Sequence, residues 1–142
     1  MTRKSRLLLR GPLECCWMAL VSSLAWAQTS APYADLVAKS VSLSPNQKSK
    51  AAQLFSTGFS LWQGGDFASA KMAFQEGLDI DPANPEANFY YGDSLRVLKQ
   101  RREVAEYLRR ASTLGAGSPE SFKARTALAE LAKGTVNRRN VN

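Results

Sequence analysis

The chain has 142 residues and a formal net charge of +7, with two cysteines and no histidine. This length is enough for one small domain with a single core. The lack of histidine removes the commonest general base and the commonest metal ligand. The Gly64-Gly65 pair and Gly115/Gly117 lie between predicted helices, not after a strand as a phosphate-binding loop does. We therefore expect no catalytic activity, no cofactor and no metal site.

Residues 1–27 have the pattern of a secretory signal peptide. Four basic residues precede an apolar run from Cys15 to Trp26, and Ala25-Trp26-Ala27 is a cleavage site of the A-x-A type. A retained membrane anchor is the weaker alternative, since a spanning helix needs roughly 20 apolar residues. Both cysteines lie in this segment and give no guide to the redox compartment. We expect cleavage near Ala27 and a periplasmic or secreted protein.

The charge of the chain is concentrated in two places. Residues 1–27 hold four cations and one acid, so the net charge after cleavage is about +4 instead of +7. A second concentration of cations follows from Arg96 to Arg110, and a solvated helix face is the simplest interpretation of it. Neither favours nucleic acid as a partner, least of all for an exported protein.

Apolar residues recur at spacings of three and four from residue 46 onward, which predicts helices, and no window alternates as a strand does. Ser44, Asp66 and Ser118 are predicted N-caps, and proline or glycine marks the helix ends. The predicted helices cover 46–63, 67–80, 85–98, 102–114 and 119–133. Segment 28–44 precedes them, with Pro32–Ala38 as a candidate short helix. Residues 134–142 are predicted to be a disordered basic tail.

The sequence repeats itself at a constant interval, and its period of roughly 34 residues is typical of one class of helical repeat proteins. The matched positions carry chemically similar residues without a gap. They are Gly58 with Gly92, Leu61 with Leu95, Phe74 with Leu108, Gly77 with Ala111, and Ile80 with Leu114. In both copies we expect a close approach of two helices, with Gly58 facing Ala70 and Gly92 facing Val104.

These positions resemble the tetratricopeptide repeat (TPR) family. Repeat 51–84 carries the pattern in Gly58, Leu61, Gly65-Asp66-Phe67, Ala70, Phe74, Leu78 and Asp81-Pro82, and departs from it at Leu54 and Thr57. Repeat 85–118 is looser, with Val104 and Ala116 in place of alanine and proline. Residues 119–133 have Arg125-Thr126 where Leu-Gly is expected and resemble a capping helix. The resemblance implies an all-α TPR domain over 45–133, with antiparallel helix-turn-helix repeats stacked as a short right-handed solenoid.

The resemblance also implies a concave binding face built from the first helix of each repeat. The residues that would line it are Phe55, Phe59, Trp62, Gln63, Glu86, Phe89, Asp93, Arg96 and Lys123. The alternative is that Phe55, Phe59 and Trp62 pack under the N-terminal segment or in a dimer interface. The family's clamp for a C-terminal carboxylate is not supported, because Phe55, Phe59 and Tyr90 stand where basic and amide residues are needed.

The function predicted on this basis is that of an exported adaptor, which binds a peptide segment or a helix of a partner protein in its groove. The alternative is a structural subunit of an envelope or secretion complex that assembles with copies of itself. The sequence identifies neither the partner nor the pathway.

Overall fold

The computed structural model describes residues 32–139, with side chains from 32 to 134. This part of the chain is all-helical and contains no strand, as predicted. Its helices are α1 (Ala34–Val41), α2 (Pro45–Gln63), α3 (Phe67–Ile80), α4 (Pro85–Val97), α5 (Arg101–Leu114) and α6 (Pro119–Arg139). The predicted signal peptide, with cleavage near Ala27, lies outside the described residues and stays a prediction. Within 32–139, no helix has both the length and the apolar character needed to cross a bilayer.

Side-chain caps determine where four of these helices begin. Ser44 and Gln47 form a capping box before α2, in which Ser44 Oγ accepts from the Gln47 N–H at 3.3 Å and the Gln47 side chain accepts from the Ser44 N–H at 2.9 Å. Asp66, Asn84 and Ser118 cap α3, α4 and α6 by accepting from the N–H three residues on, at 3.0, 2.9 and 3.2 Å. These local bonds explain why the helix starts could be predicted from sequence.

The turn after α2 and the turn after α4 have the same backbone structure. Gly65 has a φ of 83°, and the N–H that follows it donates to the Leu61 carbonyl at 3.0 Å. Lys99, one repeat later, has a φ of 59°, and the next N–H donates to the Leu95 carbonyl at 2.9 Å. The left-handed conformation suits glycine but costs a lysine about 1 kcal/mol. The second turn therefore keeps its shape without the residue that favours it.

Neighbouring helices pack in antiparallel pairs, α2 with α3 and α4 with α5. A Cβ placed on Gly58 would lie 3.0 Å from the Phe74 ring, and one on Gly92 would lie 3.3 Å from Leu108. The interval from Gly58 to Gly92 equals the interval from Phe74 to Leu108, so both partners of the contact recur together. The glycines were expected to face Ala70 and Val104, but the nearest atoms belong to the larger side chains four residues further on.

Helix α4 lies at the centre of the described domain. It packs against α2, α3, α5 and α6, and every residue from Ala87 to Leu95 is buried. Much of the rest of the core comes from α3 and α5, through Ala70, Phe74, Leu78, Val104, Leu108 and Ala111. Any residue between Ala87 and Leu95 that lines a groove is therefore also held by the core.

The N-terminal segment forms the predicted short helix, α1, but this helix is attached to the ends of other helices. Ser40 Oγ bonds the Asp81 carboxylate and accepts from the Ala83 N–H, and Lys39 donates to the Asp79 carbonyl at 2.7 Å. Polar groups left open at the end of α3 explain this position. None of these bonds places α1 over Phe55, Phe59 or Trp62, as one alternative required.

Helix α6 is longer than predicted, since it continues past Lys133 to Arg139. Residues 134–139 of the predicted disordered tail are therefore helical, and 140–142 lie outside the described residues. The segment contains no proline, and one exposed glycine, Gly134, costs a helix only about 1 kcal/mol. The polar composition that suggested disorder does not by itself end a helix.

The close contact at Gly58 gives a stability prediction. Gly58→Leu places a side chain against the buried Phe74 ring, and we expect it to lower the free energy of unfolding by about 1–3 kcal/mol. The matched control is Gly134→Leu, because a Cβ at this helical position meets no atom within 4 Å. Urea unfolding of the two variants makes the comparison. Equal stability of the two variants would contradict the close packing of α2 on α3.

Candidate protein-interaction grooves

Tyr90 is the centre of an aromatic cluster that joins α2, α3 and α4. Its ring centroid lies 5.0 Å from Phe59, 4.8 Å from Trp62, 5.1 Å from Phe89 and 6.1 Å from Phe74. Three of these pairs meet edge to face and the fourth is stacked, arrangements that the charge distribution of aromatic rings favours. Only 6% of Tyr90 is exposed. The cluster therefore fixes α2 against α4 and holds the rings that face outward in place.

One open groove lies between α2 and α4, and we call it the α2/α4 groove. It has a volume of about 330 Å³, which is enough for a side chain or a short stretch of peptide. Its lining consists of Ala52, Phe55, Ser56, Phe59, Phe74, Asn84, Glu86, Ala87 and Tyr90. The floor is aromatic, and polar groups lie at the edges. Three of the predicted binding residues, Phe55, Phe59 and Glu86, thus come together here.

A second open groove, the α4/α6 groove, lies on the other side of α4 and has a volume of about 380 Å³. Its lining consists of Phe89, Asp93, Arg96, Phe122, Lys123, Thr126, Ala127 and Glu130. Four further predicted residues, Phe89, Asp93, Arg96 and Lys123, come together in it. The Lys123 ammonium lies 5.9 Å from the centre of the Phe89 ring and 3.8 Å from Glu120. This groove is more strongly charged than the first.

Asp93 connects the two sets of residues. Its Oδ1 accepts from Arg96 Nε at 2.8 Å and Nη2 at 2.6 Å, and its Oδ2 accepts from Trp62 Nε1 at 3.2 Å. Only 8% of Asp93 is exposed, so its charge needs these donors. Trp62 is therefore a link between helices α2 and α4 instead of a freely exposed binding residue.

The structure divides the predicted face in a way that the sequence did not indicate. Gln63 is exposed and lines neither groove. Tyr90, Ser56 and Phe122 line the grooves and were not among the predicted residues. The sequence could have indicated that Tyr90 lines the same groove as Glu86, because Tyr90 lies four residues after Glu86 and therefore on the same side of α4.

The tyrosines report on the electrostatics of the domain. Burial raises the pKa of Tyr90, and the carboxylates of Glu120, Glu86 and Asp93 raise it further. Burial likewise raises the pKa of Tyr91 to about 12, with its partner Tyr107 4.4 Å away between ring centroids. Tyr91 packs outside both grooves. Of the two residues, only Tyr90 lines a groove, and its pKa is raised mainly by burial and further by nearby carboxylates.

No protein-family model, curated protein or solved structure matches the chain. Among residues 32–139, no group of three or more His, Cys, Asp or Glu side chains is placed to hold a metal ion. Function has therefore to be inferred from the geometry and chemistry of the two grooves.

The Asp93–Arg96 pair gives a prediction for the site. Arg96→Met removes the charged donor and leaves the buried carboxylate with the Trp62 bond, and we expect a loss of about 1–2 kcal/mol in unfolding free energy. The matched control is Arg109→Met. This arginine is 59% exposed and lies 3.6 Å from Glu106, so we expect a change below about 0.5 kcal/mol. A loss for Arg109→Met as large as that for Arg96→Met would rule out a special role for the Asp93 pair.

The tyrosines give a pH prediction. The pKa of Tyr33, Tyr90, Tyr91 and Tyr107 is raised in the folded chain, mainly by burial, so the folded state keeps these protons longer than the unfolded state. Unfolding free energy should therefore fall as pH rises from 10, the unfolded value, toward about 12 for Tyr91. When phenolate absorbance is followed against pH, its midpoints should lie above 10 for the folded chain in buffer and at about 10 for the chain unfolded in guanidinium chloride.

Tyr91→Phe is the control for that titration. It removes the group with the largest shift, so the fall in stability above pH 10 should become smaller. Titration of the folded wild-type chain at the same midpoint as the denatured chain would refute the burial of these tyrosines.

Proposed function

We propose that the chain is a tetratricopeptide-type adaptor that binds a peptide segment of another protein in its grooves. The observation that carries the proposal is the α2/α4 groove, which is open, has a volume of about 330 Å³ and is lined by aromatic side chains. Two of these side chains, Phe74 and Tyr90, also belong to the core. The compartment in which this happens stays the prediction made from residues 1–27, and the binding proposal does not depend on it.

Recurrence of the same contacts supports the TPR part of the proposal. The Gly58–Phe74 contact returns one repeat later as Gly92–Leu108, with the same shift for both partners. The turns after α2 and α4 repeat the same hydrogen bond, and each has one residue in the left-handed conformation, Gly65 in the first turn and Lys99 in the second. A period that holds in sequence, in helix contacts and in turn geometry is what stacked repeats of this kind require.

The chemistry of the grooves supports the binding part. The partly exposed rings of Phe55 and Phe59, with the buried ring of Tyr90 beside them, offer apolar surface next to Ser56 and Glu86. Interfaces of proteins commonly combine an aromatic centre with a polar edge. Both grooves border α4, so a partner segment that crosses α4 would contact both. Rings that the Tyr90 cluster already orders lose little conformational entropy on binding.

The groove is best tested by filling it without disturbing the core. Ser56 is exposed and lines the α2/α4 groove, and its hydroxyl makes no hydrogen bond that holds the described helices together. Ser56→Arg should therefore weaken peptide binding by about tenfold or more while the helical circular dichroism stays unchanged. The matched control is Thr57→Arg, on the same helix at an exposed position that lines neither groove, and it should bind as the wild type does.

The binding assay uses the full chain and a display library of random peptides, each long enough to form a short helix. Enriched peptides are resynthesised, and their dissociation constants are measured for wild type and both variants, with light scattering at each concentration to detect self-assembly. Equal affinity of Ser56→Arg and Thr57→Arg would remove the α2/α4 groove from the proposal. A failure of the library to yield any specific peptide, together with a size that grows with concentration, would favour the self-assembling alternative.

A further inference from the structure

The α2/α4 groove has an unusual charge for this chain. The chain carries a formal net charge of +7, yet the lining of the groove includes the carboxylate Glu86 and not one lysine or arginine. A positive chain attracts anions at long range, so a negative, aromatic groove on it is a local feature that the overall charge does not explain.

Glu86 has no cation beside it, unlike two other carboxylates near α4. Asp93 is held by Arg96 at 2.6 Å, and Glu120 faces Lys123 at 3.8 Å. Glu86 forms no ion pair with any residue between 32 and 134, and it is exposed. Its charge is therefore available to a group that enters the groove.

The rings beside Glu86 favour the same kind of group. Phe55 and Phe59 lie four residues apart on α2, and Glu86 and Tyr90 lie four residues apart on α4, so the two pairs face each other across the groove. The face of an aromatic ring carries partial negative charge and attracts cations, most strongly where water is excluded. Burial is the main cause of the raised pKa of Tyr90, and Glu86 is, after Glu120, one of the carboxylates that raise it further.

An anion is the less suitable occupant, although the groove borders the start of a helix. Pro85 opens α4 and has no N–H to offer. The Ala87 N–H donates to the Asn84 side chain at 2.9 Å, and the Asn88 N–H donates to the Asn84 carbonyl at 3.1 Å. The backbone groups that bind anions at helix starts are therefore largely occupied here.

We propose that the α2/α4 groove binds a lysine or arginine side chain of the partner peptide, with the charged end at Glu86 and the apolar stem on Phe55, Phe59 and Tyr90. This inference rests on the proposed function for the presence of a peptide and adds the chemistry by which the peptide is chosen. The long stem of either side chain matches an apolar floor that ends at a carboxylate.

The test uses three display libraries that differ only in one fixed central residue: lysine, glutamine or glutamate. The immobilised full chain should retain the lysine library about five- to tenfold more than the glutamine library, and the glutamate library least. Glu86→Gln should remove the preference for lysine. The matched control, Glu76→Gln, alters an exposed carboxylate of α3 that lines neither groove and should keep the preference. A long-range effect of the +7 chain would give the opposite order, with glutamate first.

A competition experiment separates the rings from the carboxylate. Tetramethylammonium chloride should displace the lysine library more strongly than sodium chloride at the same ionic strength, because its methyl groups contact ring faces. An equal effect of the two salts would overturn the part of the inference that assigns the stem to the rings.

The two proposals fail in different ways. Equal retention of the lysine and glutamine libraries, with loss of both in Ser56→Arg, would overturn the cation inference and leave the peptide groove intact. If the wild-type chain retains none of the three libraries more strongly than Ser56→Arg does, the groove is not a peptide site, and the cation inference fails with it.

Discussion

The packing of the Tyr90 ring is the interaction on which both the fold and the grooves depend. It contacts rings from α2, α3 and α4 at centroid distances of 4.8 to 6.1 Å, so it sets the separation of the two helix pairs. The same ring forms part of the floor of the α2/α4 groove. Core and groove therefore share one side chain, and the shape of the groove follows from how the domain is packed.

Small residues make this arrangement repeatable. A glycine opposite a large side chain lets two helices approach closely, as at Gly58 with Phe74 and at Gly92 with Leu108. The second contact follows the first at a constant interval along the chain, and α4 packs against helices on several sides. One groove lies between α2 and α4, and the other lies between α4 and α6.

The features predicted from sequence are those that local chemistry determines. Proline and glycine positions and capping side chains indicated the helix starts. The constant interval indicated that helix contacts recur, but the glycines meet Phe74 and Leu108 instead of the expected Ala70 and Val104. Features that depend on distant residues were missed. The bond from Trp62 to Asp93 joins two helices far apart in the chain, and α4 is buried at every position from Ala87 to Leu95. The attachment of α1 was equally hidden, since it depends on polar groups at the far end of α3.

Burial of α4 around its whole circumference also affects how the gene can change. A helix at the surface accepts substitutions along its outer side, and α3 has such a side at Met72. From Ala87 to Leu95 no position of α4 offers that freedom. Substitutions should consequently accumulate unevenly along this chain during evolution, and the stretch from Ala87 to Leu95 should change most slowly.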